Sequence, residues 1–262
     1  MRYQTITLDV DGRGVALLTL DNPEKHNALS PQMIAELTEV AGEIGGREDI
    51  RVVVLTGAGK SFCAGGDLAW MKTQMTASRA QRMSEARKLA DMLGALNRLP
   101  KPLIGKVQGQ AFGGGIGMMS VCDVVIAAEG LKFGLTEVRL GIIPATISPY
   151  VLARMGEGHA RAVMLSGGLF DTARAQELGL VAKMVAPDAL DAAIEAEIKP
   201  YLSASPVAVA ATKKLIRDVG YQVREAEIDA SIEALADVWE TDDAMEGVSA
   251  FFEKRKARWM PE

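Results

Sequence analysis

Two glycine-rich segments, about 50 residues apart, constrain the fold of this chain most strongly. The first is Ala64-Gly65-Gly66-Asp67. The second is Gly113-Gly114-Gly115, which leads into an apolar stretch that we expect to be a buried helix over residues 116–121. Glycine has no Cβ, so its backbone can approach a ligand closely, and the N–H groups at a helix start carry partial positive charge. Two such segments could aim backbone N–H groups at one carbonyl oxygen that becomes negatively charged during a reaction.

Strand and helix patterns alternate along the first half of the chain. Residues 5–10 and 14–20 alternate polar and apolar side chains around a turn, which predicts a hairpin, and Ser30-Pro31 predicts the start of an amphipathic helix. Further segments predict a helix at residues 79–96 and buried strands at residues 52–55, 103–107 and 124–128. This alternation is typical of an α/β fold with largely parallel strands. Ligands in such sheets bind beyond the carboxyl ends of the strands, where both glycine segments lie.

The last quarter of the chain is predicted to be helical, with no strand after Asp188. Ser205-Pro206 is typical of a helix start. The basic cluster at residues 253–258 indicates the solvated end of the last helix, with a phosphate-binding edge as the alternative. The predicted helices are residues 189–202, 206–219, 223–239 and 242–258.

Composition and charge exclude several classes of function. The chain has 262 residues, 48% hydrophobic and 24% charged, which is ordinary for a globular protein with a sizeable core. Its net charge of −5 provides no basic field for nucleic acid or an anionic membrane. The sequence shows no signal-like start or membrane-length apolar run, and two cysteines make no disulfide framework. We therefore expect a soluble, cytoplasmic protein without nucleic-acid or membrane partners.

Other catalytic motifs find little support. Gly57-Ala58-Gly59-Lys60-Ser61 imitates the end of a phosphate-binding loop, but Val54 stands where that motif needs its first glycine, so a tight turn is the better interpretation. The sequence contains no nucleophile elbow, and His26 and His159 form no local metal pair. Cys63 and Cys122 are expected to be small buried residues, because no basic cluster is evident that would lower the pKa of either thiol.

Two carboxylates remain as candidates for chemistry. Asp67 could be catalytic or could cap a helix that begins near Leu68. Glu137 follows the second glycine segment and is bounded by the apolar residues 140–144. A carboxylate in an apolar pocket has a raised pKa and exchanges protons near neutral pH, whereas a solvated or capping glutamate does not. The pattern alone leaves both interpretations of Glu137 open.

Three segments together resemble the crotonase superfamily of enoyl-CoA hydratases and isomerases. They are residues 22–29, 61–68 and 111–123, and the resemblance covers essentially the whole chain. It implies an α/β fold in which ββα turns form a spiral. Residues 1–200 would form the spiral core with the coenzyme A site, and residues 201–262 a C-terminal helical region that forms trimers. A homotrimer or a dimer of trimers is the implied assembly.

The resemblance also implies a role for individual residues. The backbone N–H groups of Ala64 and Gly114 would bind the thioester oxygen of a coenzyme A substrate, while Glu137 would move the proton. The implied pocket for the acyl group contains Trp70, Gly117 and Thr146. Lys254 would reach the nucleotide phosphate across a subunit contact. No metal or redox cofactor is expected, since coenzyme A arrives as part of the substrate. The positions that would contact coenzyme A are Lys25, Cys63, Ala64, Gly66, Asp67, Leu68 and Lys254.

The chain departs from the usual pattern at one catalytic position. Typical hydratases carry two glutamates, whereas this chain has Gly117 at the first position and Glu137 at the second. One-glutamate isomerases share this loss, as do the hydratases of methylglutaconyl-CoA and isohexenylglutaconyl-CoA, which residues 67–71 and 134–150 resemble more closely. A water or the substrate's distal carboxylate would replace the missing group. We therefore expect hydration of a branched 2-enoyl-CoA such as 3-methylglutaconyl-CoA, with double-bond isomerisation or acyl-CoA binding without catalysis as alternatives.

Overall fold

The computed structural model describes residues 3–220 and 223–260. The strands are β1 (Ile6–Val10), β2 (Val15–Leu20), β3 (Val52–Gly57), β4 (Ser61–Cys63), β5 (Leu103–Val107), β6 (Gln110–Phe112), β7 (Val124–Ala128), β8 (Lys132–Gly134), β9 (Leu169–Asp171) and β10 (Lys183–Val185). The helices are α1 (Pro31–Gly46), α2 (Leu68–Gln74), α3 (Arg79–Asn97), α4 (Gly114–Ser120), α5 (Ser148–Met164), α6 (Thr172–Glu177), α7 (Leu190–Ser203), α8 (Pro206–Val219), α9 (Glu225–Trp239) and α10 (Asp242–Phe252).

A six-stranded sheet in the order β1-β2-β3-β5-β7-β10 carries the core. The predicted hairpin is confirmed, because β1 and β2 pair antiparallel with Ile6 opposite Leu20. The other neighbours in this sheet pair in parallel, as the alternation of strands and helices predicts. Every residue of β3 is buried, as is usual for a central parallel strand covered on both faces.

A second sheet in the order β4-β6-β8-β9 positions both glycine segments. Strand β4 ends at Cys63, directly before Ala64, and β6 ends at Phe112, directly before Gly113. These two strands pair in parallel, with Cys63 opposite Ala111. Since the carboxyl ends of parallel strands meet at one edge of a sheet, the two segments leave the sheet side by side.

Local sequence signals explain several helix starts. The Ser30 hydroxyl accepts the Met33 N–H, and Pro31 occupies the first turn of α1, where its missing N–H costs nothing. At α3, Ser78 and Gln81 form a reciprocal capping box. Helices α1 and α3 then pack against each other over the core.

The C-terminal region is helical as predicted, but α10 ends earlier than expected. It stops at Phe252 rather than at residue 258, because Lys254 adopts a left-handed conformation with φ 55°. The Arg255 N–H then donates to the Ala250 carbonyl, which closes the last turn. The predicted division at residue 200 lies inside α7 and coincides with no break between elements. In the described part of the chain, no helix is both long and apolar enough to cross a bilayer.

Candidate active site

The two glycine segments touch at the edge of the second sheet. A Cβ placed on Gly65 would lie 2.9 Å from the Phe112 carbonyl oxygen and 3.6 Å from the Gly114 nitrogen. Gly65 also has φ +92°, a conformation that L side chains rarely adopt. Both the backbone conformation and the close approach therefore require glycine at position 65.

Hydrogen bonds in the first segment determine which backbone N–H group remains available. The Ala64 N–H donates to the His26 carbonyl at 3.0 Å, and the Asp67 N–H donates to the Leu29 carbonyl at 3.2 Å. No acceptor among the described residues takes the Gly66 N–H. The prediction that Ala64 binds the thioester oxygen is therefore wrong, because its N–H is already engaged, and Gly66 supplies the available donor.

Asn27 stabilises the turn that carries the His26 carbonyl, the acceptor of the Ala64 N–H. Its side chain is fully buried and donates to the Ala58 and Ser61 carbonyls, both at 2.9 Å. His26 and Asn27 both adopt left-handed backbone conformations, with φ 52° and 53°. This strained turn fixes the His26 carbonyl against Ala64, which gives the first of the three family-like segments a structural role.

The second donor comes from the start of α4. Gly114 is the first residue of this helix, and its N–H has no acceptor within residues 3–220 and 223–260. A Cβ on Gly114 would lie 2.7 Å from Leu29 Cδ1, so this position also excludes a side chain. Gly66 and Gly114 line the same cavities and form the candidate pair of donors.

Glu137 stands beside this pair. It begins a short 3-10 turn, and its Oε1 atom would lie 2.7 Å from a Cβ on Gly113. Its Oε2 atom is buried and has no hydrogen-bond partner in the described structure. Burial raises the pKa of this carboxyl to about 7, although a hydrogen bond from its own backbone N–H opposes the rise. Glu137 can therefore both accept and donate a proton near neutral pH.

Two cavities meet at Gly66, Gly114 and Glu137. The larger, of about 640 Å³, is called here the large cavity. Apart from the glycine segments, its wall has an apolar part and a basic part. The apolar part includes Leu68, Leu169, Phe251 and Met260, and the basic part comprises Arg139, Lys254 and Arg255. Such a wall suits a ligand that joins an apolar arm to phosphate groups.

The second cavity, of about 110 Å³, is called here the small cavity. At roughly 30 Å³ for each water-sized atom, it has room for about four non-hydrogen atoms. Its walls come from α2, α3, α9 and the segment of residues 142–147. Most of the lining is apolar, as in Leu29, Ile34, Ile142, Ile147 and Leu235. The arrangement can hold a short acyl chain next to Glu137.

Only some of the positions predicted to contact coenzyme A line the large cavity. Ala64, Gly66, Leu68 and Lys254 line the large cavity. Lys254 lines this cavity within its own chain, and its approach to the nucleotide phosphate across a subunit contact stays a prediction. The Cys63 side chain is fully buried and cannot contact a ligand.

The side chain of Asp67 caps a helix rather than facing the large cavity. It accepts the Trp70 N–H at 2.9 Å, and its second oxygen lies 3.5 Å from Lys25 Nζ. This confirms the capping interpretation of Asp67. It also places Lys25 beside the first glycine segment, where its role towards coenzyme A stays a prediction.

The predicted acyl pocket is brought together in part. Trp70 and Thr146 line the small cavity, but Gly117 does not. A Cβ on Gly117 would lie 2.5 Å from Ile147 Cγ2 and 3.0 Å from Ile147 Cβ. The isoleucine side chain therefore covers Gly117, and the prediction that Gly117 contacts the substrate is wrong for this reason.

Arg82 and Trp239 also line the small cavity, although neither was predicted as a site residue from the sequence. Arg82, Ala86 and Leu89 follow the spacing of one helix face on α3, which is a signal that could have indicated this wall. Trp239 ends α9, far away in the sequence, and no local pattern indicates where it packs.

Comparisons with known proteins support the predicted superfamily and fold. The sequence profile of the enoyl-CoA hydratase/isomerase family matches residues 11–262. The short-chain-enoyl-CoA hydratase of Clostridium acetobutylicum is 34% identical over 98% of this chain and 97% of that protein. An enoyl-CoA hydratase structure from Shewanella pealeana has 37% identity and a TM-score of 0.81, covering 98% of this chain and 97% of that chain. One from Mycobacterium avium has 31% identity and a TM-score of 0.88, covering 98% and 99%.

Proposed function

Since the chain belongs to the enoyl-CoA hydratase/isomerase family, with the fold predicted for the crotonase superfamily, we propose that it adds water to a 2-enoyl-CoA. One observation carries this proposal. The carboxyl of Glu137, whose Oε2 atom is buried and has no hydrogen-bond partner among the described residues, stands beside two backbone N–H groups, of Gly66 and Gly114, that no described residue engages. A base next to two fixed donors suits the formation of an enolate from a thioester.

The proposed reaction needs only one carboxylate. Ionised Glu137 takes a proton from water while the water oxygen bonds to C3 of the substrate. The electron pair of the double bond moves towards the thioester oxygen, where Gly66 and Gly114 stabilise the negative charge, with each donor contributing about 3 kcal/mol. Glu137 then delivers the proton to C2. One water has been added, and the carboxylate is regenerated.

The large cavity is the proposed site for the coenzyme A moiety. Its apolar wall would hold the pantetheine arm, and Lys254 and Arg139, which form no ion pair within the described residues, would face the phosphates. Arg255 is less available, because it donates to both carboxylate oxygens of Glu246, at 2.7 and 2.8 Å. No metal or redox cofactor takes part in the proposed steps.

A short branched acyl group, such as that of 3-methylglutaconyl-CoA, is the proposed substrate. The small cavity has room for about four non-hydrogen atoms, at roughly 30 Å³ each. Ile142, Ile143 and Ile147 give it a wall with bulky side chains. A long straight chain does not fit this volume.

Isomerisation of a 3-enoyl-CoA is the second candidate, and the contact of Gly117 with Ile147 favours it. The position where a second carboxylate would stand holds an isoleucine side chain, which cannot activate water. Glu137 alone would take a proton from C2 and return it to C4, which moves the double bond without adding oxygen. This reaction uses the same two donors.

Turnover of paired substrates in heavy-oxygen water separates the candidates. We expect a 2-enoyl-CoA to give a 3-hydroxyacyl product that contains the heavy oxygen. A shifted double bond without label, from a 3-enoyl-CoA, would instead establish isomerisation.

Replacing the base tests whether the protein is an enzyme at all. We expect Glu137→Gln to lower kcat at least about hundredfold, as for loss of a general base. The exposed Glu129→Gln serves as a matched control and should retain activity. A protein that binds acyl-CoA equally well with either residue at position 137 and turns over no substrate would be a binding protein without catalysis.

We also propose a cytoplasmic homotrimer or dimer of trimers. Helix α8 exposes Val207 and Val219 at 79% and 75%, together with Leu215 and Ile216. An apolar helix face of this kind suits a contact between subunits. The molar mass in solution, by light scattering, tests this proposal.

A further inference from the structure

An arginine side chain lines the mostly apolar small cavity. Arg82, in the first turn of α3, donates from Nε to the Gln74 carbonyl at 2.9 Å and from Nη2 to the Met75 carbonyl at 3.4 Å. Its guanidinium also lies over the Trp239 ring, 5.5 Å from the ring centre. These contacts fix the position of the positive charge in the wall of the small cavity, which Glu137 also lines.

Arg82 retains capacity for a ligand. An arginine has five N–H donors, of which two are used here. No Asp or Glu in the described part of the chain forms an ion pair with Arg82. A half-buried cation without an anion is costly unless a bound group compensates it.

Trp70 supplies a second, independent observation in the same cavity. Its Nε1–H is buried and has no acceptor among the described residues, whereas a buried Trp N–H normally finds one. The Thr146 hydroxyl also lines the cavity, and no hydrogen bond of this hydroxyl occurs in residues 3–220 and 223–260. Trp70 and Thr146 therefore border the same cavity as Arg82, together with the polar residues Gln74 and Glu137 and a larger number of apolar residues.

A purely structural role explains only part of this arrangement. Arg82 binds the last carbonyls of α2 and thereby stabilises the end of that helix. That role uses two N–H groups and does not involve Trp70 or Thr146. The unpartnered donors point instead to an acceptor that arrives with the substrate.

We propose that the small cavity selects acyl groups that carry a carboxylate at the end remote from the thioester, and that Arg82 is the residue that recognises this carboxylate. The inference rests on the proposed function, because it assigns the acyl chain to this cavity. Arg–carboxylate contacts are often bidentate, and the three remaining N–H groups of Arg82 permit such a pair. The Thr146 hydroxyl supplies a further donor in the same cavity.

The test compares glutaconyl-CoA with its distal methyl ester, which has nearly the same shape but no charge. We expect kcat/KM to favour the carboxylate, and Arg82→Met to reduce this preference by about tenfold to hundredfold, the range of a lost charged hydrogen bond. Arg82→Lys should retain part of the preference, because it keeps the charge without the planar fork. Arg87→Met is the matched control on the same helix. Arg87 forms ion pairs with Glu225 and Asp229 on α9, so this substitution should leave the preference for the carboxylate unchanged.

Two results would overturn the inference. One is a wild-type protein that does not distinguish the carboxylate from the ester, and the other is an Arg82→Met variant that loses activity equally towards both. Binding of saturated glutaryl-CoA and its methyl ester, by calorimetry, keeps the test separate from turnover. If no enoyl-CoA is converted but Arg82 still sets the preference in binding, the proposed function fails while the inference stands.

Discussion

Replacing Glu137 with glutamine should make the protein more stable at alkaline pH while removing its activity. Glutamine keeps the size of the side chain but carries no ionisable group. The Glu137 carboxyl lies beside Gly113, and its buried Oε2 atom has no hydrogen-bond partner in the described part of the chain. This burial raises the pKa from an ordinary value of 4.5 to about 7. The folded state therefore resists ionisation of this carboxyl, whereas the unfolded state does not.

The size and sign of the effect follow from this difference in pKa. A raised carboxyl pKa favours the folded state most below pH 4.5, and this contribution is lost as the pH rises through about 7. At 1.36 kcal/mol for each pKa unit, the loss is about 3 kcal/mol. Glu137→Gln removes this loss. The free energy of unfolding of the variant should therefore exceed that of the wild type by about 3 kcal/mol at pH 8 and by less than about 1 kcal/mol at pH 5.

Urea unfolding at pH 5 and pH 8, at one protein concentration, measures both differences. Glu36→Gln is a control of opposite sign. Burial alone would raise the pKa of Glu36, but hydrogen bonds from Thr5, Gln32 and the Gln4 N–H lower it below its usual value. The stabilisation that the lowered pKa of Glu36 gives the folded state is present above pH 4.5. Glu36→Gln should therefore destabilise the protein at pH 8.

A Glu137→Gln variant that is no more stable than the wild type at pH 8 would contradict a raised pKa of this carboxyl in the folded protein. A gain that stays the same at pH 5 would contradict it as well, because that gain could not come from ionisation. Either result would mean that the Glu137 carboxylate is solvated in the folded protein.

Three further predictions concern the same site and its surroundings. Gly117→Glu should lower the free energy of unfolding by about 1–3 kcal/mol through overpacking against Ile147, and Ile147→Gly in the same chain should restore part of the loss, as measured in urea. The value of kcat/KM for hydration should fall as the pH drops below about 7, because the Glu137 carboxylate must be ionised to take the proton from water. A value of kcat/KM that does not change between pH 6 and pH 8 would contradict this role. Iodoacetamide at pH 8 should leave Cys63 and Cys122 unmodified in the folded protein, since burial raises the pKa of both thiols to about 12, and mass spectrometry before and after unfolding checks this.

The elements that depend on local sequence were predictable. Ser30-Pro31 marks the start of α1, and the alternating residues on either side of the first turn give the hairpin of β1 and β2. The end of α10 was not predictable, because the residue in the left-handed conformation is Lys254 rather than a glycine. Because lysine is common inside helices, the sequence alone predicts that the helix continues past this position.

The site was predictable in its parts and not in its hydrogen bonds. Glycine segments and Glu137 are visible in the sequence, but the choice between Ala64 and Gly66 depends on the His26 carbonyl, which a turn 38 residues earlier in the chain supplies. The cover of Gly117 by Ile147 likewise joins two segments only through the tertiary structure. Contacts of this kind leave no pattern of spacing in either segment.

The contact between positions 117 and 147 also bears on how such a site can change over generations. Enlarging residue 117 first overfills the space, at a cost of about 1–3 kcal/mol. Trimming residue 147 first leaves a void, which for a large aliphatic side chain costs about 2–5 kcal/mol. Either single step is penalised in the absence of the other, so a lineage crosses between one-carboxylate and two-carboxylate chemistry only when it carries stability to spare.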